Sequence, residues 1–288
     1  MTGTEQLSLT DVAQRLGVHY MTVYRYVRTG RLAAQRGGTQ WVVLESELSR
    51  FDVERHAIAL AAPDGSVNDP VARLAERLLH GDENGAWAIA QDSLVGGASP
   101  TEMYQELFAP AMRTIGERWT RGEVTVAEEH VASGVMTRLV GRSGPLFRSR
   151  GTRFGTVVVG SPAGEMHALA TAFAADILRA SRYDVVDLGV NVPTDAFVQC
   201  VRDTNRLVAI AISITTPLSR PSAGDLMDAL RRANLGVPIY LGGAGADAAS
   251  AHQLGASHWA PDVREITSAL KNSYAANAAT ASAHERLA

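Results

Sequence analysis

The chain has 288 residues, 46% apolar and 20% charged, which allows two or three domains with their own cores and is ordinary water-soluble composition. A formal charge of −3 excludes a protein that coats nucleic acid over its whole surface, so any DNA contact has to be local. The lone Cys200 excludes an internal disulfide and a cysteine-built metal site. With no secretory leader and no apolar run of roughly 18 residues, the expectation is a cytoplasmic protein without membrane contact.

In chain order, the first module is expected over residues 1–60. Ser8, with Asp11 three residues on, is a capping-box-like start for a helix that buries Val12, Ala13 and Leu16. Gly17 supplies a tight turn, a second helix runs from about Tyr20 to Arg28, and Gly30 is placed to end it. Two short helices joined through a glycine turn are the helix-turn-helix pattern. The second helix carries Tyr20, Thr22, Tyr24, Arg25 and Arg28, residue types that bond phosphates or base edges in a major groove. Arg36-Gly37-Gly38-Thr39-Gln40-Trp41 then reads as a hairpin with a basic tip, which adds Arg36 to the DNA-contacting set. Over residues 1–51 six arginines stand against four carboxylates, a local positive excess in an acidic chain. A small helical protein-interaction domain is the alternative.

The segment resembles the excisionase/MerR-like winged helix-turn-helix family, and the resemblance implies operator DNA as a partner. One copy offers few phosphate contacts, so binding at physiological salt is expected to need a homo-oligomer, a dimer or tetramer.

Residues 61–68 are small, polar and turn-prone and read as a linker. The next module, expected over 69–148, has apolar residues at helical spacing: Val71, Leu74, Leu78 and Leu79, then Met103, Leu107, Met112, Ile115 and Trp119. Breaks at Gly81-Asp82, Gly96-Gly97 and Arg121-Gly122 divide it into about four helices, a small bundle. Pro100 stands just inside a helix start with Ser99 as N-cap.

The third module, over 152–273, alternates β-rich and helical runs. Strands are expected at Thr156–Val159, Val185–Leu188, Val208–Ile212 and Val237–Leu241, with a weaker one at Ser257–Ala260. Helices are expected at His167–Ser181, Thr194–Thr204, Ala223–Ala233 and Asp247–Leu254, and a frayed tail from about Ala275. The fold class is therefore multidomain α and α/β: a winged helix-turn-helix, a four-helix bundle and a doubly wound, flavodoxin-like parallel sheet. In such a sheet ligands bind beyond the carboxyl ends of the strands.

The loop after the first of these strands reads Gly160-Ser161-Pro162-Ala163-Gly164-Glu165-Met166-His167. A histidine in the first turn of a helix is held neutral and has a ring nitrogen to donate to a metal. A carboxylate two residues earlier can take the other ring N–H and fix the tautomer. Glu165-x-His167-x-x-Ala170 resembles the Asp-x-His-x-x-Gly cobalt loop of the cobalamin-binding Rossmann-like family, with Glu for Asp and Ala for Gly. The resemblance implies His167 as the axial cobalt ligand, with Glu165 and Met166 beside it. It also implies that Ser213 and Thr215, after the third strand, and Gly242 and Gly243, after the fourth, receive the cofactor's buried nucleotide tail.

The bundle resembles the cap of the CarH/LitR-type light-sensing regulators, which carry a Trp, nine residues, then Glu-His; here these are Trp119, Glu129 and His130. The resemblance implies adenosylcobalamin between bundle and α/β domain, with Trp119, Glu129 and His130 around the adenosyl group. It further implies a non-enzymatic regulator, a repressor whose oligomer and DNA binding change when light cleaves the Co–C bond. Thr120 stands where the best-known members have a second cobalt-capturing histidine, so the state after light is expected to differ. Two alternatives stay open: a corrinoid methyl carrier of a methyltransferase system, and a regulator that senses haem or cobalamin without light.

Overall fold

The computed structural model describes residues 6–16, 20–28, 32–38, 40–51 and 69–272, the side chains of Met21, Thr22 and Arg25 excepted. The Gly17 turn, Gly30, the 61–68 linker and the tail from 275 onward lie outside the described residues. The chain divides into two compact units, residues 1–139 and 140–288. Among the described residues no helix is long and apolar enough to cross a membrane.

The first unit begins with β1 (Gln6–Ser8), α1 (Leu9–Leu16), α2 (Tyr20–Arg28), β2 (Gln35–Gly37), β3 (Gln40–Leu44) and a helix α3 over 45–51. Ser8 and Asp11 cap α1 reciprocally: the Ser8 N–H donates to the Asp11 carboxylate at 3.0 Å and the Asp11 N–H to the Ser8 hydroxyl at 3.2 Å. The three strands form an antiparallel sheet in the order β1-β3-β2. Val12, Val23, Tyr26 and Val43 bury their side chains between the two helices and this sheet. The hairpin turns at Gly38, whose φ of +68° suits a residue without a Cβ. Helix, helix and two-stranded wing therefore follow in order.

The bundle comprises α4 (Pro70–Leu79), α5 (Glu83–Val95), α6 (Pro100–Glu102), α7 (Ala109–Arg121) and α8 (Val126–Ser143). Asp69 and Asp82 cap α4 and α5 by accepting the Val71 and Gly85 N–H groups. Ser99 and Glu102 form a full capping box ahead of Pro100. Between α6 and α7, Met103–Phe108 adopts a π-helical register that the apolar spacing does not reveal. Ala109 there donates to Tyr104, five residues back, directly ahead of Pro110, which has no N–H to offer the Glu106 carbonyl. Gly122, with φ +75°, ends α7.

The second unit is built on five parallel strands, β4 (Thr156–Gly160), β5 (Asp184–Asp187), β6 (Leu207–Ser213), β7 (Ile239–Gly242) and β8 (His258–Ala260). Their order is β5-β4-β6-β7-β8. The crossovers are α9 (Ala168–Ala180), α10 (Thr194–Asp203), α11 (Arg220–Ala233) and α12 (Ala248–Leu254), and a last helix α13 spans 263–272. One face of the sheet packs Val158, Ile210, Ile212 and Leu241 against Phe197, Val201, Leu226 and Leu230 of α10 and α11. The other face packs Val157, Val159, Ala209 and Ala211 against Leu178 of α9 and Ile266 of α13. Burial on both faces explains why the strands read as continuous apolar runs. Several boundaries move by one to three residues, and two of them bear on the site. β7 starts at Ile239 rather than Val237, because Pro238 cannot donate to the ladder. α9 starts at Ala168, so His167 is its N-cap and not a first-turn residue.

Candidate functional site

A cleft opens where neighbouring parallel strands send their connections to opposite sides of the sheet. β4 and β6 are such a pair, since β4 continues to β5 on one flank and β6 to β7 on the other. The loops after these two strands carry Glu165 and His167 on one side and Thr215 to Ser219 on the other.

Glu165 ties the two loops together although only 1% of it is exposed. Its Oε1 accepts the His167 backbone N–H at 3.1 Å and the His167 Nδ1–H at 2.5 Å. Its Oε2 accepts the Thr215 N–H at 2.7 Å and the Ser219 hydroxyl at 2.9 Å, with the Thr216 N–H at 3.4 Å. Burial pushes such a carboxyl up; the bonds from the His167 ring, the Thr215 and His167 amides and Ser219 outweigh it and hold the group down to about 2. Glu165 is thus a carboxylate at any physiological pH. With Nδ1–H committed to it, the lone pair of the His167 imidazole is on Nε2, the atom that can donate to a metal. The imidazole is about half exposed, 52% of its side chain, and so is reachable from outside.

One imidazole is one donor, so a metal bound through it has to bring most of its own ligands, as a tetrapyrrole-bound metal does. Three observations fit a large ligand of that kind. Ser161, fully buried after β4, and Thr215, after β6, hold hydroxyl oxygens with no hydrogen-bond partner among the described residues. Leaving a buried hydroxyl unpaired costs about 1–3 kcal/mol, a cost a polar ligand removes. Met166 and Leu218, 65% and 88% exposed, flank the Glu165 clamp with apolar surface suited to a macrocycle's edge.

Gly242 and Gly243 adjoin the same loops, and the Gly242 carbonyl accepts the Ile214 N–H at 3.0 Å. A Cβ at Gly242 would lie 2.6 Å from the Ala260 carbonyl oxygen, and one at Gly243 2.2 Å from that of Ile214. Both glycines are therefore demanded first by close backbone packing, Gly242 against β8 and Gly243 against the loop after β6. Ser213 ends β6 and is buried, its Oγ 2.9 Å from that built Gly243 Cβ.

The other expected residues lie in the first unit. Trp119, near the end of α7, is half-buried. Glu129, in the first turn of α8, accepts the Ser133 hydroxyl at 2.7 Å. His130 is exposed, with Nδ1 at 2.8 Å from the Val126 carbonyl and 3.0 Å from Glu129. On α2, Tyr20 and Arg28 are exposed and Tyr24 half-buried, while the side chains of Thr22 and Arg25 lie outside the described residues. Arg36 is exposed on the wing, its guanidinium 4.6 Å over the Trp41 ring.

Sequence reasoning misses Ser161, Thr216 and Ser219. Pro217, which starts a short 3-10 turn (Pro217–Ser219), is the one local signal that the chain doubles back and returns Ser219 over the loop.

This arrangement defines a class: a doubly wound sheet with a histidine-bearing switch-point loop, a helical bundle, and a winged helix-turn-helix ahead of both. Residues 155–269 match a family model described as a B12 binding domain, residues 71–142 a second model of the same description, and residues 7–51 a helix-turn-helix domain. The chain carries B12-binding domains behind a helix-turn-helix, which agrees with the regulator resemblance at the level of domain order.

The curated relatives include the trimethylamine corrinoid protein of Methanosarcina barkeri, 28% identical over 51% of this chain and 70% of that protein. Trimethylamine corrinoid protein 1 of Methanosarcina mazei is 23% identical over 70% of this chain and 95% of that protein. Among solved structures, the monomethylamine corrinoid protein of Methanosarcina barkeri superposes with a TM-score of 0.62 at 20% identity, covering 69% of this chain and 95% of the other. That last likeness establishes the shared fold. These relatives stand nearer to the corrinoid-carrier alternative than to the light-responsive regulator.

Proposed function

We propose that the chain is a corrinoid-binding protein of the carrier type, with His167 as the axial ligand to cobalt. The observation that supports it most is the Glu165 clamp, which holds the His167 Nδ1–H and so puts the ring's lone pair on Nε2, in a loop at the switch point. Ser161, Ser213, Thr215 and the Gly242-Gly243 turn would receive the polar tail, and Met166 the ring. On the bundle, Trp119, Glu129 and His130 would meet the upper axial group. A corrinoid bound in this way supplies a cobalt–carbon bond, which can either hand a methyl group to a partner methyltransferase or break in light. The residues of this chain hold, orient and shield; none is asked to turn over substrate.

A second reading is favoured by the N-terminal module: a corrinoid-responsive transcription regulator, with adenosylcobalamin as cofactor and light as signal. Helix, helix and basic wing have no role in a plain methyl carrier. In this reading Tyr20, Thr22, Tyr24, Arg25, Arg28 and Arg36 contact operator DNA, and a homo-oligomer supplies the affinity.

The test starts from the full chain mixed with methylcobalamin, and separately with adenosylcobalamin, in dim light. Retention of a red holoprotein whose spectrum changes in His167→Ala supports the shared corrinoid reading, and a folded chain that stays colourless ends it. Trp119→Ala then separates the two uses. A carrier variant still takes up methylcobalamin and shows no adenosyl-dependent assembly in the parent. A regulator loses adenosyl-dependent, light-sensitive assembly and operator binding.

A further inference from the structure

The connection after β5 takes part in the site, although no motif draws attention to it. Residues Gly189 to Val192 run alongside the His167 loop as an irregular connection, joined to it by main-chain hydrogen bonds and one isolated β-bridge. The Ser161 N–H donates to the Gly189 carbonyl at 2.9 Å, the Val192 N–H to the Ser161 carbonyl at 3.1 Å, and Pro162 bridges to Val192 in parallel. Asn191 lies at the centre of this contact and makes two bonds of its own. Its backbone N–H donates to the Glu165 carbonyl at 2.9 Å. Its side-chain Oδ1 accepts the Gly164 N–H at 2.8 Å.

The backbone of Asn191 is left-handed, with φ +54°, a conformation that asparagine tolerates better than other residues with a Cβ. Gly164, its partner, also has positive φ, at +83°. A strained residue persists where its surroundings fix it, and here the fixing bonds run to the two residues that start the histidine-bearing turn. Glu165 is consequently held from two directions: its main chain by Asn191 from the β5 side, its carboxylate by Thr215 and Ser219 from the β6 side.

We propose that Asn191 is a positioning residue for the cobalt-ligating imidazole. It fixes the Gly164-Glu165 turn, so that the carboxylate, and through it the Nε2 of His167, has a single orientation before any cofactor arrives. The reference to cobalt rests on the function proposed above; the clamp on the turn does not. A ligand fixed in advance loses less orientational freedom on binding, so the effect is expected in ligation geometry as well as in affinity.

Two substitutions separate the side-chain bond from the backbone conformation. Asn191→Gly keeps the left-handed backbone and removes the acceptor; Asn191→Asp keeps an acceptor at the same reach. In the cofactor-free full chain, amide hydrogen exchange at Gly164 should speed up roughly fivefold or more in Asn191→Gly, the loss of one modest hydrogen bond. Exchange in β4 and β6 should be unchanged. With methylcobalamin, the same variant should show a smaller histidine-ligated fraction by absorption, whereas Asn191→Asp should match the parent in both measurements. An Asn191→Gly chain with parental Gly164 exchange overturns the clamp, as does an Asn191→Asp chain that behaves like the glycine variant. A parent that takes up no methylcobalamin refutes the corrinoid reading, and the exchange result still decides the clamp.

Discussion

Glu165 in the α/β unit is bonded by groups from residues 167, 215, 216 and 219, most of them about fifty positions along the chain. Glu129 and His130 in the bundle take their bonds from Ser133 and Val126, four residues away on one helix. The first arrangement is buried, spans two loops and exists only once the sheet has formed. The second lies at a helix surface and forms with its own helix. A buried and satisfied polar network specifies one geometry, whereas exposed local pairs contribute little and rearrange at small cost. The His167 imidazole belongs to the rigid arrangement, and the bundle residues to the adaptable one.

The largest expected effect breaks that contrast at its centre. Glu165→Ala leaves the Thr215 amide and the Ser219 hydroxyl without their acceptor, and should cost the α/β unit about 3 kcal/mol in urea unfolding of the cofactor-free chain. A loss under about 1 kcal/mol would show that the two loops do not depend on the clamp. Gly243→Ala comes next. With φ +91° and a Cβ directed at the Ile214 carbonyl, it should destabilise the same unit by about 2 kcal/mol and also lower methylcobalamin uptake.

Gly122→Ala is the counterpart in the first unit. Its φ is +75°, and the new Cβ would meet the Tyr26 hydroxyl of α2, so about 1–2 kcal/mol should be lost there while the α/β unit's transition stays in place. Ser219→Ala removes a single bond from the clamp and should cost about 1 kcal/mol, sharpening the claim that the carboxylate acts through several donors. His130→Ala is the smallest change. The ring is exposed, so the cofactor-free chain should stay within about 0.5 kcal/mol of the parent by the same unfolding measurement.

How much of this is legible in the sequence depends on the range of each interaction. Caps and breaks are short-range, so Ser8 with Asp11, Ser99 with Pro100, and the helix ends at Gly81, Gly96 and Gly122 can be read directly. The π-helical stretch before Pro110 escapes because apolar spacing hardly distinguishes a 3.6-residue from a slightly wider repeat over six residues. Glu165 and His167 are legible as a pair because they stand two positions apart; Glu165's partners Thr215 and Ser219 are not, about fifty positions on.

The amino-acid order alone points to three things here: a winged helix-turn-helix, a helical bundle, and alternating strands and helices of the kind that build a parallel sheet. It also puts a carboxylate and an imidazole side by side at a strand's end. Only the folded sheet decides that Asn191 and Ser219 close on that pair from two flanks, and that the glycines at the end of β7 are required by neighbouring carbonyls. The reason is physical: periodicity and capping act within a few residues, whereas strand order brings together groups tens of residues apart that no local pattern relates.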